Sequence, residues 1–346
     1  MDKIGLEQHL EAWAKTDALH QAAASTVAAL ATACRDLATI IAAGPLAGNL
    51  AAHRNEGKAG DVQTELDVRA NALLVEALEN APVAAVASEE MDAPLPLNAG
   101  APIVVALDPL DGSSNIGANV SIGTIFSLLP SLPNSSGAEA SAFLRPGREQ
   151  IAAGYVLYGP QTALALTLGA GTDVFTLDAT SGHFVRTGAH VRVPPQTREF
   201  AINASNYRHW DAPVQSWFDD CLAGAEGPRG ENFNMRWIAS MVAETHRILM
   251  RGGVYVYPGD ARPGYGSGRL RLIYEANPMA LLIEQAGGYA STGTERILDR
   301  TPRLLHERVP LVFGAREEVE RIDRYQCGDI PKGHTSPLFA RRGLFV

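Results

Sequence analysis

Cysteine is scarce in this 346-residue chain: Cys34, Cys221 and Cys327 stand far apart with no paired spacing. That excludes a disulfide framework and suits a reducing cytoplasm. Lysine is confined to Lys3, Lys15, Lys58 and Lys332, and arginine supplies the rest of the 29 basic residues. Set against 38 acidic residues the net charge is −9, which argues against a nucleic-acid surface, since phosphate backbones need clustered Lys and Arg. An anionic small molecule must then be drawn in by local Arg residues or bound cations, not by the overall field. A long charge-free apolar run is also missing. The longest stretch, Ala22 to Ala43, is Ala-rich and broken by Arg35 and Asp36, which fits a helix packed on a core better than a membrane span. The opening Met1-Asp2-Lys3, with Glu7 and Glu11 close behind, lacks the basic-then-apolar order of a secretory signal. The chain has neither an internal repeat nor a low-complexity tract.

What is present reads as a two-part α/β enzyme. The length favours two sub-domains, with Pro194-Pro195 as the boundary: 1–193 and 194–346. Residues 2–43 read as one or two helices ending near Gly44-Pro45, and a further helix spans Thr64 to Leu78. Short strands follow at Val83 to Ala87, Ile103 to Leu107, Gly123 to Leu129, Ile151 to Tyr158, Ala163 to Leu168 and Thr172 to Leu177. Ser131 to Gly147 is rich in Ser, Pro and Gly and reads as a surface loop. Beyond the boundary, Phe200 to Asn203 opens a second half. In it, helices at Ala212 to Leu222 and Ile238 to Met250 alternate with strands at Val254 to Tyr257 and Leu270 to Ile273.

The chemistry concentrates in Val104-Val105-Ala106-Leu107-Asp108-Pro109-Leu110-Asp111-Gly112-Ser113-Ser114-Asn115. An apolar run ends in a carboxylate, and Pro109 predicts that the strand stops there. Carboxylates at a strand end suit hard cations such as Mg²⁺, and the Gly112-Ser113-Ser114 amides can cradle a phosphate. Asp-Pro and Asp-Gly are also ordinary turn formers, so company matters. Glu89 and Glu90 close the preceding apolar run, Asp61 and Asp67 lie upstream, and Glu275 ends the alternating segment from Leu270. Acids at the ends of separate strands are what a multi-cation phosphatase site needs.

Asp108-Pro109-Leu110-Asp111-Gly112-Ser113-Ser114-Asn115-Ile116 resembles the metal loop of class I fructose-1,6-bisphosphatases, within the sugar and inositol phosphatase superfamily. The resemblance continues through Ser121 to Phe126, Ala152 to Gly159, Ser240 to Arg247 and Leu270 to Ala280, in order over about residues 50 to 315. It implies a layered α-β-α-β-α fold with mixed sheets in two sub-domains, assembled as a homotetramer in the family manner. It further implies that Glu89, Asp108, Asp111, Glu275 and the Leu110 carbonyl hold two or more Mg²⁺ ions per subunit, with Mn²⁺ as an alternative. Asp61 is a candidate for a third metal position. Glu90 with Asp67 would activate water, two close carboxylates resisting simultaneous ionisation. Asp61 and Asp67 also flank a helix start, where either could serve as a cap. The 1-phosphate falls to Asp111, Gly112, Ser113 and Ser114. The distal phosphate falls to Asn203, Tyr257, Arg269 and Arg236, the last reaching a neighbouring subunit's site.

Departures from the family pattern carry information. Asn203-Ala204-Ser205-Asn206-Tyr207 stands for Asn-Glu-Gly-Asn-Tyr, and Trp237 follows Arg236 where a Tyr is usual. Arg269 replaces a Lys, keeping the charge and adding a planar fork. AMP-inhibited relatives carry a Gly-Thr-Gly-Glu-Leu-Thr-like segment where this chain has Lys15-Thr16-Asp17-Ala18-Leu19-His20, and Pro102, Ile103 and Pro130 replace their Lys, Tyr and Arg. The reading is a cytoplasmic hydrolase taking fructose 1,6-bisphosphate to fructose 6-phosphate, in gluconeogenesis or the Calvin cycle. A dual fructose and sedoheptulose bisphosphatase is the alternative. A catalytically dead sugar-phosphate sensor should have lost a metal carboxylate, yet Glu89, Glu90, Asp108, Asp111 and Glu275 are all present.

Overall fold

Period-two alternation along the strands divides their side chains among separate cores, and those cores define the layers. The computed structural model describes residues 4–56, 62–132 and 139–330. From edge to edge its eight-stranded sheet runs Phe184–Gly188, Thr172–Leu177, Thr162–Thr167, Ala152–Tyr158, Ile122–Pro130, Ile103–Asp111, Val83–Ser88 and Leu95–Pro96. All neighbours are antiparallel except Val83–Ser88 and Ile103–Asp111, which run parallel. Phe126, Val156 and Leu164 face a core shared with the helices Leu6–Ala14, Ala18–Ala43 and Glu65–Glu79. Ile125, Tyr155 and Ala165 face the opposite way, onto the helices Met241–Arg251 and Asn277–Gln285.

Those two helices are covered on their far side by a five-stranded mixed sheet, ordered Asn234–Met235, Glu199–Ala201, Val254–Tyr257, Leu311–Gly314 and Tyr289–Ser291. Tyr255, Leu311 and Phe313 point to the shared middle core, while Val254, Val256 and Val312 point outward. The outward face packs on Ala212–Leu222 and Arg316–Cys327 through Trp217, Phe218, Val319 and Ile322. Helix, sheet, helix, sheet, helix is the layered α/β order implied by the resemblance.

The N-terminal stretch forms two helices, divided where Asp17 caps the second by accepting the His20 amide at 2.9 Å. The helical stretch Ala18–Ala47 is long and apolar enough to cross a membrane by length and composition. Here Val27, Leu30, Cys34 and Leu37, at helical spacing, are completely buried against the first core.

Three elements differ from the sequence expectation. The strand from Ile103 does not stop at Leu107 but runs through Pro109 to Asp111. Pairing with Val83–Ser88 ends at Leu107, so the missing Pro109 N–H interrupts no ladder on that side. The strand expected over Leu270 to Ile273 is two residues long, because only Leu270 and Arg271 find partners, in Val309 and Arg308. A π-helical turn, Leu272–Ala276, then leads straight into the Asn277–Gln285 helix. The Ser131 to Gly147 loop falls partly outside the described residues, and in its described part Ala142 and Phe143 are buried, pinning the loop to the protein body.

Candidate active site

A β-bulge builds the acidic centre. Asp108 lies opposite Ile125 and Asp111 opposite Gly123, so Pro109 and Leu110 together oppose the single residue Thr124. Three residues apart on a regular strand, the two carboxylates would face opposite sides of the sheet. The extra residue restores them to one side. Thr124 fixes the bulge by donating its hydroxyl to the Pro109 carbonyl at 2.9 Å, and Tyr158 shares a further bond with that hydroxyl. The Leu110 amide donates to Asp108 Oδ1 at 3.0 Å, while the Leu110 side chain enters the first core.

Glu275 arrives from the other half of the chain on the π turn. Its Oε2 accepts the Arg271 amide at 2.6 Å, which fixes the carboxylate toward the sheet. Oxygen atoms of Asp108, Asp111 and Glu275 lie within 4.8 Å of one another, and all three residues are buried. Burial first, and then the neighbouring carboxylates, push the Asp108 and Glu275 carboxyls well above the ordinary range. Asp111 is pushed up to about 7, again chiefly by burial, although the Val242 and Met241 amides work in the opposite direction. The Val242 bond to Asp111 Oδ2 is 3.1 Å long and comes from the first turn of the Met241–Arg251 helix. That helix can sit so close because residue 123 is Gly: a Cβ there would lie 2.4 Å from the Val156 carbonyl oxygen and 2.8 Å from Val242 Cγ2.

Glu89 completes the acidic group without joining the tight triad. It hydrogen-bonds the Asp108 carboxyl and is engaged by the Arg271 guanidinium. A buried set of oxygen donors, mutually repelling and without nitrogen or sulfur ligands, fits hard divalent cations such as Mg²⁺ or Mn²⁺. Glu90 stands beside it, receiving a bond from the Gln63 amide group. Burial, followed by the charge of Asp67, raises the Glu90 carboxyl to about 7. Asp67 serves as a cap: its Oδ2 accepts the Thr64 amide at 2.6 Å and the Thr64 hydroxyl at 2.8 Å, closing a capping box. Its other oxygen is buried with no hydrogen-bond partner among the described residues, and burial raises its carboxyl as well. Asp61 lies outside the described residues.

These acids line a cavity of about 800 Å³. Gly112, Ser113 and Ser114 line it too, at the start of a short 3₁₀ turn tied to the helix entrance by the Asn115 amide group, which donates to the Ala239 carbonyl at 2.8 Å. Asn203, Tyr257 and Arg269 line the same cavity. Asn203 uses its Oδ1 to receive the Ser205 hydroxyl at 2.6 Å, and Tyr257 stacks on Tyr255. Two of the sequence candidates are not on its wall. Asp67 neighbours Glu90 without lining the cavity, and Arg236 pairs with Glu199 at 3.6 Å, half exposed and one residue before the lining Trp237. Sequence reasoning passed over Arg271, His306 and Arg308, which line the cavity as well. Arg271 could have been found, since alternation from Arg269 places it two residues on, beside the segment leading to Glu275.

Two domain descriptions match the sequence in tandem: "Fructose-1-6-bisphosphatase, N-terminal domain" over residues 2–189 and the corresponding C-terminal domain over residues 193–327. The chain belongs to the fructose-1,6-bisphosphatase family. Among its relatives, a class 1 fructose-1,6-bisphosphatase of Nitrobacter hamburgensis is 53% identical over 344 residues, covering 99% of each chain. Another, from Xanthobacter autotrophicus, is 54% identical over 343 residues, covering 99% of this chain and 92% of that one. The crystal structure of Leishmania major fructose-1,6-bisphosphatase in holo form superposes with a TM-score of 0.87 at 32% identity, over 94% of this chain and all of that one.

Proposed function

We propose that this chain is a metal-dependent phosphatase that hydrolyses the 1-phosphate of fructose 1,6-bisphosphate, releasing fructose 6-phosphate. The observation that carries the reading is the buried triad of Asp108, Asp111 and Glu275 on a cavity that Arg269 also lines, in a chain of this family. Glu89, Asp108, Asp111, Glu275 and the Leu110 carbonyl hold two or more divalent cations, Mg²⁺ in the first place and Mn²⁺ as the alternative. When bound, these cations offset the negative charge of the phosphoryl group in transfer. Glu90, steadied by Gln63 and backed by Asp67, takes the proton of the attacking water. Gly112, Ser113 and Ser114 receive the 1-phosphate through backbone amides and hydroxyls.

The distal phosphate sits among Asn203, Tyr257 and Arg269. Arg236 serves the site of a neighbouring subunit, in a homotetramer located in the cytoplasm. The sub-domain comprising 1–193 then carries the metal loop, and 194–346 the sugar-phosphate anchors. Phosphate release measured side by side from fructose 1,6-bisphosphate and sedoheptulose 1,7-bisphosphate, with and without Mg²⁺, tests the reading. Mg²⁺-dependent turnover of the fructose substrate is expected. Comparable turnover of both sugars would identify the dual enzyme, and no Mg²⁺-dependent release from either would overturn the assignment.

A further inference from the structure

Arg269 presents its side chain to the cavity from the end of a loop that begins at Pro258. Among the described residues it makes no ion pair or hydrogen bond, and its guanidinium lies over the Tyr265 ring, 4.7 Å from the centroid. The Arg262 guanidinium also lies over that ring, at 4.5 Å. Tyr265 itself is not on the cavity wall. We propose that Tyr265 is a positioning residue for substrate recognition: its ring holds the Arg269 guanidinium, and Arg262, clamped by Asp260, holds the ring. The inference rests on the reading of Arg269 as a contact for the distal phosphate.

The loop is constructed as a fixed platform. Arg262 donates its backbone amide and Nε to Asp260 Oδ1 at 3.0 and 2.9 Å, and its Nη2 to Oδ2. Asp260 thereby compensates the Arg262 charge, so the ring can accept a second cation beside it. The Tyr265 carbonyl receives the amides of Asp260 at 3.1 Å and Gly268 at 2.9 Å, and the Tyr265 amide donates to the Arg262 carbonyl at 3.0 Å. Gly268 adopts φ +80°, and a Cβ there would lie 2.2 Å from the Val309 carbonyl carbon. The chain therefore leaves the loop pressed against backbone, and Arg269 departs from a defined point.

This arrangement also accounts for arginine at a position where the family usually has lysine. A guanidinium is flat and weakly hydrated, and it stacks on an aromatic face while its edge remains available for N–H donation to phosphate. An ammonium group has no flat face to stack. Arg269 and Tyr265 thus form a matched pair, the ring reducing the rotamer freedom that an exposed arginine loses on binding.

Steady-state KM and kcat for fructose 1,6-bisphosphate in single and double variants test the inference. Arg269→Ala should raise KM. Tyr265→Leu should raise KM about three- to tenfold with kcat within about twofold, the size of one exposed cation–π contact plus the lost pre-ordering. Tyr265→Phe retains the ring and should behave like wild type, and Tyr265→Leu added to Arg269→Ala should change nothing further. An unchanged KM in Arg269→Ala would overturn the reading of Arg269 and the inference with it. A raised KM in Arg269→Ala but not in Tyr265→Leu would overturn the inference alone. So would a Tyr265→Leu effect of equal size in the Arg269→Ala background.

Discussion

Asp111 is held from two sides, by amides at the start of a helix and by acidic neighbours that repel it. Asp111→Asn keeps an oxygen that can accept the Val242 bond and removes the negative charge. We expect turnover at saturating Mg²⁺ to fall by at least about a hundredfold. The metal-free variant should meanwhile melt no lower than wild type, because a repelling charge has gone. Activity within tenfold of wild type would dismiss Asp111 as a metal ligand. The same crowding fixes a pH dependence for the chelated protein. A carboxyl whose folded pKa is raised stabilises the fold below its unfolded value, near pH 4, and that contribution is lost as pH rises through the folded value. For Asp111 the folded value is about 7. The chelator-treated protein should therefore melt at a lower temperature at pH 8 than at pH 6, and Mg²⁺ should restore the difference. Calorimetry finding equal melting temperatures at the two pH values would remove electrostatic strain from the metal-free site.

At the scale of elements, the Met241–Arg251 helix positions the site by how closely it approaches the sheet. Gly123→Ala places a methyl group in contact with Val156 and Val242, forcing strand and helix apart. Overpacking of this kind costs about 1 to 3 kcal/mol, and the displaced Val242 amide should lower kcat as well. A variant with unaltered urea midpoint and kcat would show that the approach is not needed. Much of this level was legible in sequence. Apolar runs closed by acids gave the central strands, and Thr64 marked the start of a helix. The bulge was not legible, since Pro109 reads as a stop unless one knows which neighbouring strand has already ended. The Asn277–Gln285 helix was hidden for another reason. Asn277 to Ile283 is buried throughout because a sheet covers each side, so no polar face exists to reveal the helical period. Asp67 carried two readings in the sequence, partner of Glu90 and helix cap, and its bonds to Thr64 show the cap.

For the whole molecule, regulation and assembly provide the tests. Asp17 occupies the start of the Ala18–Ala43 helix with its own carboxylate, bonded to the His20 amide and paired with the His20 ring at 2.7 Å. A nucleotide phosphate approaching that helix end would meet a negative charge where relatives offer donors. Pro102 and Pro130 have no N–H to give, and Arg145 is already committed to the Pro130 carbonyl and to Glu149. Losing several charge-assisted bonds, at about 1.5 to 3 kcal/mol each, removes orders of magnitude in affinity. The enzyme should keep full activity through sub-millimolar AMP; cooperative inhibition at micromolar AMP would show that the N-terminal helices still hold a nucleotide. Arg236→Ala should raise KM far more than it lowers kcat if the residue serves a neighbour's site, and an unchanged KM would exclude it. The bulge at Pro109-Leu110 has one more consequence, for how the protein tolerates change. By inserting a residue it takes a peptide out of the regular ladder, and the proposed ligand at 110 is a main-chain oxygen rather than a side chain. Mutational tolerance should then alternate sharply along four positions, with Asp108 and Asp111 intolerant and Leu110 open to any apolar residue that fills the same space. One member of the ligand set is encoded by the path of the chain, and no single-letter substitution can delete it.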